Sequence, residues 1–332
     1  MQELITAKKH FSRLGWLYTA ATLIIFSLQT VMGAALRVVN PKWLQNMDIN
    51  LLLSMIPMYL IGFPLLGVML KKDVPKQHIV KRKMTAGQYV LSAILCIGLA
   101  YAANIVGLIM TTLIGSYTAN TVENEITDVV NSLSPWAVLF YTVLCAPIME
   151  EFVFRKLIVD RAVRYGQGTA VVLSGLMFGL FHGNLNQFVY ASVIGAFLAY
   201  LYVKTGNLKI TISLHMLFNF IGGFLPTVLM RKIDMESYLV FLENGSMSGI
   251  MELVRYKFGW YILYGLFILF ILSMLVTGVV LFIIFAAKRK FVFSPGQTSI
   301  PKELKLSVAM GNTGMAAFAL FWIIRIVFQL FM

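Results

Sequence analysis

Eight stretches of this 332-residue chain contain no charged residue at all: 14–36, 49–70, 84–122, 129–149, 165–203, 210–230, 258–287 and 306–324. The shortest has 19 residues, and about 20 apolar residues in a helix cross the hydrocarbon core of a bilayer. Lipid offers no hydrogen bonds to the backbone, so long apolar runs inside it must be helical. Run 165–203 is 39 residues long, enough for two helices, and its polar cluster His182-Gly-Asn-Leu-Asn-Gln187 fits a turn between them. Run 84–122 is as long, but its polar end from Ser116 to Thr121 reads as a loop. The expected architecture is all-α, a polytopic transmembrane bundle of about nine helices forming a single integral membrane domain over 1–332. Only 12% of the residues are charged against about 25% in a soluble domain. That excludes a cytosolic enzyme, a secreted disulfide scaffold and a disordered chain.

The net charge of +13 would suit nucleic acid, but its placement is topological. With the N-terminus inside, segments 1–13, 71–83, 156–164, 204–209 and 288–305 face inward and carry 19 Lys and Arg. The outward segments hold six, namely Arg37, Lys42, Arg231, Lys232, Arg255 and Lys257, and segment 123–128 is acidic (Glu123, Glu125, Asp128). This is the positive-inside asymmetry, and nine crossings then put the C-terminus outside. No nucleic-acid partner is expected. The first apolar run has the basic flank of a signal peptide, but at 23 residues it exceeds the usual apolar core of one and is expected to be retained. Cys96 and Cys145 both fall in membrane helices, which excludes a disulfide framework. Segment 231–257 contains two short amphipathic stretches, Tyr238–Leu242 and Ile250–Val254, suited to the outer interface.

Ionisable groups at membrane depth are costly and mark function. Of fourteen acidic residues only Glu150 and Glu151 lie well inside an apolar helix; His182 and His215 end or interrupt apolar runs, whereas His10 and His78 sit in basic segments. Glu151 and Arg155 are four apart and share a helix face, so they can pair. Glu150 points about 100° away and is left free for chemistry. His215 and Asn219 are again four apart and face one cavity; Phe178 and His182 share a face, ring beside imidazole. The helices before and after Gly166–Gly168 form a hairpin. Glu150 precedes Gln167 by 17 residues and His182 follows it by 15, so both lie roughly 22–26 Å from the turn. Three helices thus bring a Glu, a His, and a His with an Asn towards one level. Pro147 removes a backbone hydrogen bond beside Glu150 and can open a notch to water, although proline is common in membrane helices for other reasons.

Glu-Glu-x-x-x-Arg at 150–155, Phe-x-x-x-His at 178–182 and His-x-x-x-Asn at 215–219 occur in this order on separate membrane helices. The pattern resembles the CAAX-protease and bacteriocin-processing family of intramembrane endopeptidases, also called the abortive-infection-like family. The resemblance covers about 135–225, the expected catalytic core. His182-Gly-Asn-Leu-Asn-Gln187 and Lys204-Thr-Gly-Asn-Leu208 look like bacterial members, which implies a multi-pass protein of the bacterial plasma membrane. The resemblance implies that Glu150, helped by His182, activates water to hydrolyse a peptide bond of a membrane-associated protein or peptide. His215 and Asn219 would stabilise the oxyanion, and Glu151 with Arg155 would support the site. No cofactor is required by this reading. The family is often labelled a metalloprotease, and Glu150, His182 and His215 could ligate a zinc-type ion with water as the fourth ligand. No His-Glu-x-x-His is present, and the metal-free reading is favoured.

Two other classes fit the same residues. A proton-coupled transporter would use buried Glu and His as a relay and Pro147 as a helix break, although no inverted repeat and only one clear Pro-broken helix are visible. A non-catalytic scaffold or bacteriocin-immunity protein would use the fold alone to bind a membrane partner. Substrate identity, prenylation of the substrate and oligomeric state are not legible.

Overall fold

The computed structural model describes residues 1–118, 132–233, 247–298 and 300–331. Among them lie nine principal helices: α1 Gln2–Val39, α2 Met47–Asp73, α3 Ala86–Thr118, α4 Pro135–Tyr165, α5 Gln167–Phe181, α6 Leu185–Thr205, α7 Leu208–Met230, α8 Met247–Ala287 and α9 Thr313–Phe331. Eight are long and apolar enough to span a bilayer, and α5 with 15 residues is not. The chain is an integral, multi-pass helical bundle. α3 continues to Thr118, three residues into the polar stretch expected to be a loop. The acidic segment 123–128 and the stretch Tyr238–Leu242 lie outside the described residues, and Ile250–Val254 falls within α8.

The five basic segments assigned to one side by charge meet at one end of the bundle. Arg13 pairs with Asp73 at 2.7 Å, and the His10 ring lies 5.1 Å from that of Tyr165. The Gln77 and Arg82 amides donate to the Asp160 and Thr205 carbonyls. Gln167 Oε1 accepts from Lys204 Nζ at 2.9 Å and from the Ser294 amide at 3.1 Å. α1 and α9 lie side by side and parallel, since Ser12 meets Thr313, Tyr18 meets Phe318, and Phe26 meets Phe321 and Trp322. The helices that begin and end the chain therefore both run from the basic end to the far end.

The basic half of the interior is packed solid. Phe154, Ile158 and Val159 of α4, Leu173 and Met177 of α5, and Leu66 and Leu70 of α2 are all buried there, with Phe11 and Leu14 of α1. Small residues let α5 and α6 approach closely, as is usual for membrane helices. A Cβ on Gly175 would lie 2.7 Å from the Ser192 carbonyl and 2.8 Å from the Ala196 methyl group. The outer surfaces are apolar, as lipid demands: Leu269 and Val276 of α8 are 62% and 61% exposed.

The hairpin of α5 and α6 explains the space in the other half. At 1.5 Å per residue α5 rises only about 22 Å, less than the ~30 Å hydrocarbon thickness. The chain turns at His182–Asn184 and returns through α6 to the basic end. Gly183 holds φ 62°, a left-handed conformation open to glycine without penalty. Asn184 caps α6, its Oδ1 accepting from the Gln187 amide at 3.2 Å. The polar turn expected from the sequence is thus present, and it stops partway along the bundle, where His182 lines the same cavity as Glu150 of α4.

A candidate active site in a cavity at membrane depth

Above that turn lies a cavity of about 620 Å³. Glu150 of α4, His182 at the end of α5, and His215 and Asn219 of α7 all line it. The four residues singled out in the sequence are therefore gathered around one space. Its lining carries one carboxylate and two imidazoles, with no Lys or Arg among the described residues.

Glu150 and Glu151 are adjacent in sequence but differ in setting. Glu151 is fully buried, outside the cavity lining, and its Oε1 takes Arg155 Nη2 at 2.9 Å and His215 Nδ1 at 3.0 Å. The Arg155 guanidinium is also fully buried and lies over the Phe178 ring, 4.6 Å from its centroid. Two charges in an apolar interior need each other, because an unpaired one there is costly. Glu150 keeps 13% of its side chain exposed and stands 3.7 Å from His215 Nε2.

The hydrogen bonds set the tautomers. Phe178 O lies 2.8 Å from His182 Nδ1; a carbonyl only accepts, so Nδ1 carries the proton and Nε2 of the neutral ring offers a lone pair. His215 is arranged alike: Nδ1–H donates to the Glu151 carboxylate, leaving Nε2 towards Glu150. Phe178 meets both imidazoles edge-on, with centroid distances of 4.8 Å to His182 and 5.7 Å to His215. Asn219 Nδ2 donates one hydrogen to the Thr142 carbonyl at 2.7 Å, and a primary amide has a second to give.

The backbone around the cavity is irregular on three helices. Val138–Cys145 and Glu151–Val159 of α4 are π-helical, with Pro147 and Glu150 in the short α-helical stretch between them. Ile56–Gly62 of α2 and Phe220–Phe224 of α7, the latter directly after Asn219, are π-helical too. Such irregularity concentrates at functional sites and at membrane depth survives beside cavities. The expectation of one clear proline-broken helix is thereby corrected, since Pro57 and Pro226 also sit in irregular helices that line the cavity. A proline breaks the regular backbone bonding wherever it falls within a helix.

The cavity also exposes groups not singled out in the sequence: Tyr59, Asn104, Gln187 and Tyr190. Two had a visible signal. Tyr59 follows Pro57 by two residues, and Gln187 closes the polar turn. Among the described residues no three His, Cys, Asp or Glu side chains come close enough together to hold a metal ion. The zinc alternative through Glu150, His182 and His215 therefore lacks an assembled ligand set.

A family model for the type II CAAX prenyl endopeptidases, Rce1-like, matches residues 132–221, from just before α4 to just past Asn219. This core is similar to the CAAX-protease family. No curated protein and no solved structure matches the chain. The similarity supports a membrane peptidase at the level of the family. The matched residues contain all three motifs, with Glu150, His182, His215 and Asn219.

Proposed function

We propose that the protein is an intramembrane endopeptidase that hydrolyses a peptide bond of a membrane-associated protein or peptide with water activated by Glu150. The observation that carries this reading is the gathering of Glu150, His182, His215 and Asn219 around one cavity within a core that matches a peptidase family. Among the described residues Glu150 is the only carboxylate of the lining, and its neighbour Glu151 is committed to Arg155 and His215. His182 Nε2, a lone-pair acceptor, orients the water through one of its hydrogens. Glu150 takes the other hydrogen as the oxygen attacks the carbonyl carbon. The C–O bond forms and the carbonyl oxygen becomes the oxyanion, which accepts the second Asn219 N–H. Protonated Glu150 then returns its proton to the departing amide nitrogen as the C–N bond breaks, giving a carboxylic acid and an amine. His215, held by Glu151, stands beside Glu150 throughout and can share the proton through Nε2. No covalent intermediate arises.

Glu150→Gln keeps the shape and removes the base. Its expected effect is a loss of cleavage of about 10²–10⁴-fold, with normal insertion and folding. The assay compares the membrane proteome of cells carrying either form and follows any accumulating precursor with the purified protein. The irregular, proline-bearing helices lend some support to the transporter reading. Loss of pH-driven flux without any change in cleavage products would favour it, and unchanged function would favour the scaffold.

A further inference from the structure

Where the cavity lies along the bundle bears on where its substrate comes from. In α2, α4, α5 and α6 the lining residues occupy the half remote from the basic end; in α3 and α7 they begin shortly before the midpoint, at Ala100 and His215, and continue towards the far end. α4 supplies Val138, Thr142, Ala146 and Glu150, a stride of four from near its start to its midpoint, and nothing between Glu150 and Tyr165. α2 lines the cavity from Leu51 to Tyr59 and not beyond, although it runs on to Asp73 at the basic end. α7 lines it as far as Met230, its last residue. The cavity thus extends from a floor at mid-bundle, formed by Phe178 and His182, to within about one helical turn of the far end. On the basic side of that floor the interior is closed by the buried side chains of Phe154, Ile158, Leu173 and Met177.

The two ends also differ in charge. Segments bearing 19 of the 27 Lys and Arg gather at the basic end, and such segments stay in the cytoplasm during insertion. We propose that the site takes its peptide from the extracytoplasmic side. Its substrates are then segments presented at the outer face or in the outer leaflet: exported peptides, or the outer juxtamembrane stretches of membrane proteins. A cytosolic C-terminal tail would meet the packed half of the bundle. This proposal rests on the endopeptidase reading for the word substrate, but the sidedness of the cavity is measurable without cleavage.

The experiment uses the full chain with Cys96→Ala and Cys145→Ala, carrying single cysteines at Ser54 or Thr142 in the cavity and at His78 at the basic end. Intact spheroplasts are treated with a membrane-impermeant maleimide before and after permeabilisation. The expected result is labelling of Ser54→Cys and Thr142→Cys in intact spheroplasts, with His78→Cys labelled only after permeabilisation. Cavity cysteines that react only after permeabilisation, together with His78→Cys, overturn the proposal. Cavity cysteines that react under neither condition overturn it as well, since the cavity is then open to neither side. An inactive chain whose cavity is still labelled from outside would refute the peptidase reading alone.

Discussion

The buried triad of Arg155, Glu151 and His215 makes a demanding test, because one carboxylate serves two partners. At an N–O separation of 2.9 Å between Arg155 and Glu151, the attraction is about 6 kcal/mol at an effective dielectric of 20. Desolvation of both ions offsets much of that. The quantity that matters on mutation is therefore the charge left behind. Glu151→Gln retains an oxygen to accept from His215 Nδ1 but strands the fully buried Arg155 guanidinium, which is expected to cost about 3–5 kcal/mol. Glu151→Gln combined with Arg155→Met removes both ions and fills the guanidinium's space with an apolar chain. It is expected to recover most of that loss, because apolar replacement of a whole buried pair is often neutral or better. His215 keeps an acceptor in the double variant, so cleavage should also return in part. The assay is a double-mutant cycle of unfolding free energies in mixed micelles, with the activity of each variant measured in parallel. A loss below about 1 kcal/mol for Glu151→Gln, or costs that simply add in the double variant, would refute the assignment of Glu151 and Arg155 as one interdependent unit.

Three further outcomes test other parts of the site. Asn219→Ala should lower kcat by about 10²–10³-fold with little change in KM if its free N–H serves the oxyanion; an equal rise in KM would point to substrate binding instead. Phe178→Ala removes the ring packed against both imidazoles and Arg155 and should destabilise by about 3–5 kcal/mol in the same micelle assay. Gly175→Val places a side chain where a Cβ already meets the Ser192 carbonyl at 2.7 Å. It should force α5 from α6, costing about 1–3 kcal/mol and reducing cleavage through the displaced His182, as thermal melts and activity together would show.

Much of this was legible because the membrane simplifies the code. A charge-free run of 19 residues or more admits few structures, and each such run holds a helix in the fold. The rarity of ions at depth made Glu150, Glu151 and Arg155 conspicuous, and a four-residue spacing was enough to separate the paired carboxylate from the free one. What spacing along one helix could not reveal were contacts between helices. His215 reads as a partner of Asn219 because they share a face; that it also touches Glu151 depends on how α7 crosses α4. The irregular stretches were hidden for a similar reason. Pro57 and Pro226 were plain to see, yet which prolines border a cavity is decided by packing. Asn104 lies within an apolar run, where a single amide carries no signal until its surroundings are known.

The shortness of α5 ties the fold to the chemistry. A helix that crossed the whole bilayer would carry His182 to the far interface, beyond the reach of a carboxylate at the midpoint of α4. Stopping after 15 residues leaves the turn in an apolar layer, where every exposed amide must find a partner. Asn184 meets that need through its bond to the Gln187 amide, and it is itself almost fully buried, at 4% exposure. Capping asparagines of this kind contribute about 1 kcal/mol in water; inside the membrane a bare amide has no solvent to replace the cap, so the loss should be greater. Asn184→Ala is therefore expected to destabilise by more than about 1 kcal/mol, and Asn184→Asp, which keeps the acceptor, by less. Because the turn carries His182, both should lower cleavage in the same order as they lower stability. If Asn184→Ala leaves stability and activity untouched, the turn is hydrated from the cavity and its bonds are made by water, and the backbone argument for its position fails.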